Sequence, residues 1–353
     1  MSQRLNWPTL GSLGVRSLRL GGLLLGSLLL LELALRGFTG LGNPVLLQVD
    51  TEIGYRFVPN QRKHRFGRHL HYNRYSQRSE PLAIPPPARR ILMTGDSVLN
   101  GGNLIDQSET IAEQLEQWLN GNAANARLTT EVLNASAGSW GIGNQWAYLQ
   151  KFGSFESDLL ILQIGTHDLI QPTSTGEKIG QDPSFPDRPP RLALQEVWSR
   201  YLWPQGLIQQ PLRWRQQPAS AQPSPQPQLS AEQIEAALQA RFEQNLAYLS
   251  ELLAWAEAED LPVWVVYTPD RVDVLPPEDF PPDFQPFLKA AFMDWLRSHQ
   301  VPLIDTHTAW QALPPEVSAT YFRDHVHLTP EGNQAVAAEI VSVMIEAEFL
   351  PDE

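Results

Sequence analysis

The sequence predicts an α/β domain built on a parallel sheet with helices on both faces. Three observations carry this. Leu159-Leu160-Ile161-Leu162-Gln163-Ile164 is an apolar run of strand length, as expected in the middle of a parallel sheet covered on both faces. Val263-Trp264-Val265-Val266-Tyr267 is a second such run. Segments with helical spacing separate these runs, and strands alternating with helices imply parallel pairing. The 353 residues allow one large domain with additions.

The N-terminus stands apart. Leu20 to Leu35 is nearly all Leu, Gly, Ala and Ser, broken only by Glu32, with Arg4, Arg16 and Arg19 before it. Sixteen helical residues reach about 24 Å, short of the roughly 30 Å hydrocarbon core. Arg19 and Arg36 at the ends can extend the span by snorkelling. Three readings compete: an uncleaved signal anchor, a cleaved signal and a buried helix. The sequence after the run lacks an A-x-A cleavage site. Glycines and unbroken leucines fit a buried amphipathic helix poorly. The preferred reading is a signal anchor over 1–36, with a cytoplasmic N-terminus and the rest exported.

Residues 37–89 form a basic accessory segment, with nine Arg and Lys against three acids up to Arg90. Asp50 to Phe57 alternates in part and is followed by the turn signal Val58-Pro59-Asn60. Arg62, Lys63, His64, Arg65, Arg68, His69, His71 and Arg74 form a cluster. It reads as a solvated hairpin face, or as a surface attracted to anionic headgroups or an acidic polymer. Its histidine spacing matches no strong metal pattern. Pro85-Pro86-Pro87 closes the segment.

Residues 90–353 carry the α/β pattern. Ile91 to Thr94 is a short strand ending at Gly95. Glu109–Leu119 has helical spacing, Glu131–Leu133 reads as a strand and Gln145–Phe152 as a helix. The stretch from about 204 to 230 is a Pro/Gln-rich insertion. A long helix follows to about Glu259, opened by the capping-box spacing of Ser230 and Gln233. A helix over about Phe284–Ser298, a strand over Pro302–Asp305 and a helix opening at Pro330-Glu331 complete the series.

Composition excludes some chemistry. The chain has no cysteine, so disulfides, thiolate zinc sites and cysteine nucleophiles are absent. Residues 91–353 hold 13 basic against 35 acidic side chains, unlike a nucleic-acid-binding face.

Four motifs sit at strand ends, where open parallel sheets bind ligands. Gly95-Asp96-Ser97 follows the first strand; alone, it is weak evidence and reads first as a capped turn. Asn134 to Gly141 follows the second strand, and Gly138 there can bring a backbone N–H close to a substrate oxygen. Gly165-Thr166-His167-Asp168 follows the third. Asp324-His325-Val326-His327 precedes the last helix. A serine nucleophile needs an imidazole base, and that base needs an acid to fix its tautomer. Asp324 and His327 can supply both from one loop.

Taken together, the four blocks resemble the SGNH/GDSL hydrolase family over residues 90–346, the insertion excepted. The resemblance implies a three-layer flavodoxin-like fold, serine ester hydrolysis or acyl transfer, and no cofactor or metal. It implies Ser97 as nucleophile, His327 as base and Asp324 as orienting acid, with Ser97 and Gly138 N–H groups in the oxyanion hole. The family has asparagine in its third block, where this chain has His167. The expectation is that His167 keeps the oxyanion role; the alternative is altered or lost activity. Asp96 and Asp168 are read as backbone-bonding residues of tight turns. His325 points elsewhere, and Trp140 is core or pocket lining.

A chain exported behind an anchor meets envelope polymers. The expected function is a membrane-anchored esterase removing O-acyl, above all O-acetyl, groups from envelope carbohydrate. Acyl transfer to the same polymers and a non-catalytic envelope protein are the alternatives. The expected partners are an ester substrate and the membrane, with no nucleic acid.

Overall fold

The structure is a computed structural model. It describes residues 12–121, 129–202, 230–275 and 286–349. The expected insertion at about 204–230 falls, Ser230 apart, outside the described residues. The chain divides into two compact units, residues 1–44 with 189–216, and residues 45–188 with 217–353.

In the smaller unit, an α-helix runs from Ser12 to Ala34 and continues as a π-helical turn over Leu35–Thr39. Arg19–Thr39 is apolar enough to cross a membrane, with mean hydropathy 1.6 over 21 residues. At 1.5 Å per residue that is about 30 Å, so the helix is longer than the apolar run alone suggests. The unit also holds a short helix over Ala193–Glu196, continued by a π-helical turn over Val197–Leu202.

The larger unit begins with two antiparallel hairpins. The first pairs β1 (Leu47–Asp50) with β2 (Gly54–Phe57), and the second pairs β3 (Gln61–Arg65) with β4 (Arg68–Tyr72). The residues expected to form a separate accessory segment thus fold, from Val45 on, within the same unit as the sheet. The alternation is the reason: Ile53, Tyr55, Leu70 and Tyr72 point into the core, while Arg62, His64 and His69 face solvent. Arg65 and Arg78, read only as members of a basic stretch, are fully buried.

The sheet has five parallel strands: β5 (Arg89–Gly95), β6 (Thr130–Ser136), β7 (Leu159–Gly165), β8 (Val263–Thr268) and β9 (Leu303–Asp305). Their order is β6-β5-β7-β8-β9. This is the flavodoxin-like order, and its switch point lies between β5 and β7. Strand parity sorts the core into two layers. Leu92, Leu160, Leu162 and Val265 face the helices Ile142–Phe152, Ala231–Ala258 and Pro286–Ser298. Ile91, Met93, Ile161 and Val266 face the helices Ile111–Gly121 and Pro330–Glu346. Ser230 caps the long helix through the expected box with Gln233.

One strand is longer than the sequence suggests. β6 continues past Leu133 through Asn134, Ala135 and Ser136. These residues look like loop because Asn and Ser are polar. Their side chains are satisfied inside the fold: Asn134 Nδ2 donates to the Leu99 carbonyl at 2.9 Å, and Ser136 bonds Asn134.

Candidate active site

β5 delivers the chain to the switch point and ends at Gly95. Asp96 then caps the one-turn helix Ser97–Asn100, its Oδ1 accepting from the Val98 N–H at 2.8 Å. This turn fixes Ser97 at the carboxyl edge of the sheet. Arg78, buried behind it, donates to the carbonyls of Asn100, Gly102 and Ile105 and holds the following loop.

The second part comes from the loop before the last helix. An antiparallel bridge between Phe322 and Leu328 closes it, and Arg323 N–H donates to the His327 carbonyl. Thr329 caps the helix through the Gly332 N–H at 3.1 Å. Gly332 packs directly on the Tyr321 carbonyl, where any side chain would overlap. Thr-Pro-Glu-Gly is therefore the seal that sets the loop's position. On it, His327 Nδ1 lies 2.9 and 3.0 Å from the two Asp324 oxygens, and Nε2 lies 3.0 Å from Ser97 Oγ. Burial pushes the Asp324 carboxyl up, but the amides of His327 and Val326 and the His327 ring outweigh it and hold it below the usual range. The structure thus brings Ser97, His327 and Asp324 into one hydrogen-bonded line. His325 is exposed and contributes only its carbonyl, to Arg271 N–H at 2.8 Å.

The third part is the loop after β6. A Cβ built on Gly138 would lie 3.9 Å from Ser97 Cβ, so the Gly138 backbone runs beside the serine. The Tyr55 hydroxyl of β2 donates to the Gly138 carbonyl, which fixes that peptide. Trp140 is core rather than pocket lining: it is 2% exposed and donates to the Tyr55 carbonyl at 3.0 Å.

The fourth part departs from expectation. His167 lies beside the serine, but both its ring nitrogens face carboxylates. Nε2 is 2.8 Å from Asp96 Oδ2, and Nδ1 is 2.8 Å from Asp270 Oδ1. In this arrangement the ring has no N–H left for an oxyanion, so the expected oxyanion role is replaced by an ion-pair role. Burial pushes the imidazole down, but the acidic groups around it, with the hydrogen bonds to Asp270 and Asp96, outweigh this and raise it well above its ordinary value. Burial likewise pushes Asp96 up, and the His167 hydrogen bond and charge overcome this and hold it low. Asp96 Oδ2 also lies 3.1 Å from Ser97 Oγ, an alternative acceptor for the proton that Ser97 gives to His327.

Asp168 completes the cluster. It is fully buried, and its Oδ2 accepts from the Gly165 N–H at 2.7 Å, the backbone bond expected of it. Burial and the neighbouring Asp96 charge push its carboxyl up to about 8. Asp96, His167 and Asp168 offer ligand atoms within 4.8 Å of one another. With His167 protonated and bonded at both nitrogens, the imidazolium supplies the positive charge there.

Two contributors escaped the sequence reading. Asp270 sits two residues past β8, and a carboxylate just beyond the end of a parallel strand was a usable signal. Tyr55 gave none, because it reaches Gly138 from a hairpin 83 residues away.

A family model described as the GDSL-like lipase/acylhydrolase family matches residues 93–335. The chain belongs to this family. As a GDSL-like acylhydrolase it is an ester hydrolase by family, with its motif serine at the switch point. Solved structures similar to it include an acetyl xylan esterase, AlAXEase, at 11% identity and TM-score 0.43, covering 72% of this chain and 98% of that one. A GDSL-like lipase from Bacteroides thetaiotaomicron is similar at 13% identity and TM-score 0.38, over 74% and 89% of the two chains. A two-domain esterase active on acetylated mannans is similar at 11% identity and TM-score 0.41, over 75% and 51%. No curated protein matches the chain.

Proposed function

We propose that this acylhydrolase is an exported, membrane-anchored serine esterase that removes O-acyl groups, above all O-acetyl, from envelope carbohydrate. The observation that carries the catalytic part is the 3.0 Å contact of Ser97 Oγ with His327 Nε2, backed by Asp324. His327 takes the Ser97 proton as Oγ attacks the ester carbonyl. The Ser97 and Gly138 N–H groups receive the oxyanion. His327 then returns the proton to the leaving sugar oxygen, the acyl-serine forms, and a water activated by the same imidazole releases the acid. His167 acts at one remove: it keeps Asp96 in place beside the serine.

The apolar helix and the arginines before it support export and anchoring. The carbohydrate assignment rests on that compartment and on the family's ester chemistry. Transfer of the acyl group to a sugar hydroxyl uses the same acyl-serine and differs only in the acceptor.

A fluorophosphonate probe tests the catalytic part. The wild type is expected to label and Ser97→Ala to stay blank; equal labelling of both would sink it. Competition by acetylated glycans, with release of acetate measured, tests the substrate. Glycans that neither compete nor lose acetate would remove the carbohydrate assignment.

A further inference from the structure

Glu32 is the one charged residue within the apolar run, and the structure gives it partners. Its Oε1 accepts from the Ala193 N–H at 2.7 Å and its Oε2 from the Leu194 N–H at 3.0 Å. Arg36 Nε donates to the same Oε1 at 2.7 Å, while Arg36 Nη2 donates to the Arg191 carbonyl at 2.7 Å. Glu32 therefore caps the first turn of the segment that begins at Ala193. This explains a carboxylate in an otherwise apolar helix: it is only 7% exposed, and its oxygens are bonded within its own unit.

The cap also sets a depth. Glu32 lies seven positions before Thr39, where the apolar span ends, about 10 Å inside that end of the helix. Hydrogen bonds of 2.7 and 3.0 Å hold the Ala193 turn at nearly the same level. Amphipathic interfacial helices settle about 5–10 Å into the boundary between headgroups and acyl chains. The side chains suit that level. Leu194, Trp198 and Tyr201 recur at spacings of four and three. Leu192 and Trp198 are 51% and 47% exposed, and Phe38 is 81% exposed at the end of the anchoring helix. Tryptophan and tyrosine favour the interface, and Arg191 and Arg200 can reach the headgroups. Glu196, the remaining acid, accepts from the Gly42 N–H at 2.6 Å and lies 3.8 Å from Arg200.

We propose that residues 191–202 form a second membrane contact, an interfacial segment seated in the lipid headgroup boundary and held there by Glu32. This rests on the anchored reading above, and the test separates the two. The chain has no cysteine, so single cysteines can carry an environment-sensitive fluorophore without further changes. Leu25→Cys, Leu192→Cys and Trp198→Cys are made in the full chain, checked for fluorophosphonate labelling at Ser97, and reconstituted into phosphatidylcholine–phosphatidylglycerol vesicles. The label at position 25 should be quenched by lipids carrying a quencher near the bilayer centre. Labels at 192 and 198 should show blue-shifted emission and be quenched by lipids carrying it near the headgroup. Adding Glu32→Ala should abolish the quenching at 192 and 198 and leave position 25 unchanged. Water-like emission at 192 and 198, with position 25 in lipid, overturns the interfacial segment and leaves the anchor standing. Water-like emission at all three positions overturns both. Unchanged headgroup-level quenching in the Glu32→Ala variant overturns the holding role of Glu32.

Discussion

At the level of single residues, the site places two histidine–carboxylate pairs on Ser97. His327 and Asp324 offer a base, while His167 and Asp96 form a closed ion pair that Asp270 extends. Removing one partner of a buried pair leaves the other charge uncompensated, at a cost of about 3–5 kcal/mol. His167→Ala is therefore expected to lower stability by about that amount and to reduce kcat with little change in KM. His167→Asn, which can donate one N–H to Asp96, should recover part of both. An alanine variant as stable and as active as the wild type would remove the ion pair from this account.

Asp168 gives a pH prediction with a definite sign. Its carboxyl moves from 3.8 to about 8 on folding. Between those values the folded state holds a proton that the unfolded state has lost, so stability falls as pH rises. His167 adds the same sign higher up. Its pKa is raised, so its ion-pair stabilisation is complete below its ordinary value of 6.5 and is lost as pH rises through the folded value. Urea midpoints of wild type and Asp168→Asn should therefore diverge from about pH 4 to about pH 8, by up to roughly 1.4 kcal/mol per unit, with the variant gaining. Parallel curves would show that Asp168 is ionised in the folded protein.

The residues legible in the sequence were those whose partners sit close in the chain. Asp324 and His327 are three apart and share a loop, and Ser97 follows a strand that the apolar pattern reveals. Asp270 is 103 residues from His167, and only the β7–β8 pairing brings them together. Reading His167 as an asparagine substitute therefore identified its place but not what it bonds.

At the level of elements, the β1–β2 hairpin does more than cover the core. Tyr55 ties it to the Gly138 peptide through its hydroxyl, and Trp140 ties it back through the Tyr55 carbonyl. Tyr55→Phe keeps the packing and removes one hydrogen bond. A stability loss of about 1 kcal/mol is expected, with kcat falling roughly tenfold because the oxyanion-side peptide is no longer fixed. Unaltered kcat would limit the hairpin to a packing role. The partial alternation of Asp50 to Phe57 was legible, but nothing in residues 45–89 marked this function, and the basic cluster from Arg62 on hid the alternation of Leu70 and Tyr72. The sheet itself was readable from its apolar runs. The end of β6 was not, because its polar side chains bond one another and Leu99 inside the fold.

At the level of the whole molecule, the chain passes between its two units, among the described residues, at 44–45 and 188–189. The unit carrying Ser97 is therefore joined to the apolar helix on both sides of β5 to β7. In the proposed topology that unit lies outside the cytoplasm. Protease added to sealed right-side-out vesicles should digest it and abolish fluorophosphonate labelling, while inside-out vesicles should protect it. The opposite pattern would reverse the proposed topology.

Glu32 also imposes an order on biosynthesis. Its capping partner Ala193 lies 161 residues later in the chain. At about 5–20 residues per second, translation reaches that partner roughly 10–30 s after Glu32 itself is made. In the anchored protein, the helix enters the bilayer with Glu32 paired only to Arg36, one turn further on, and its partners are completed only when Ala193 and Leu194 arrive. A nascent chain arrested before that point carries a half-satisfied acid in its helix, which sets an unfinished copy apart from a finished one.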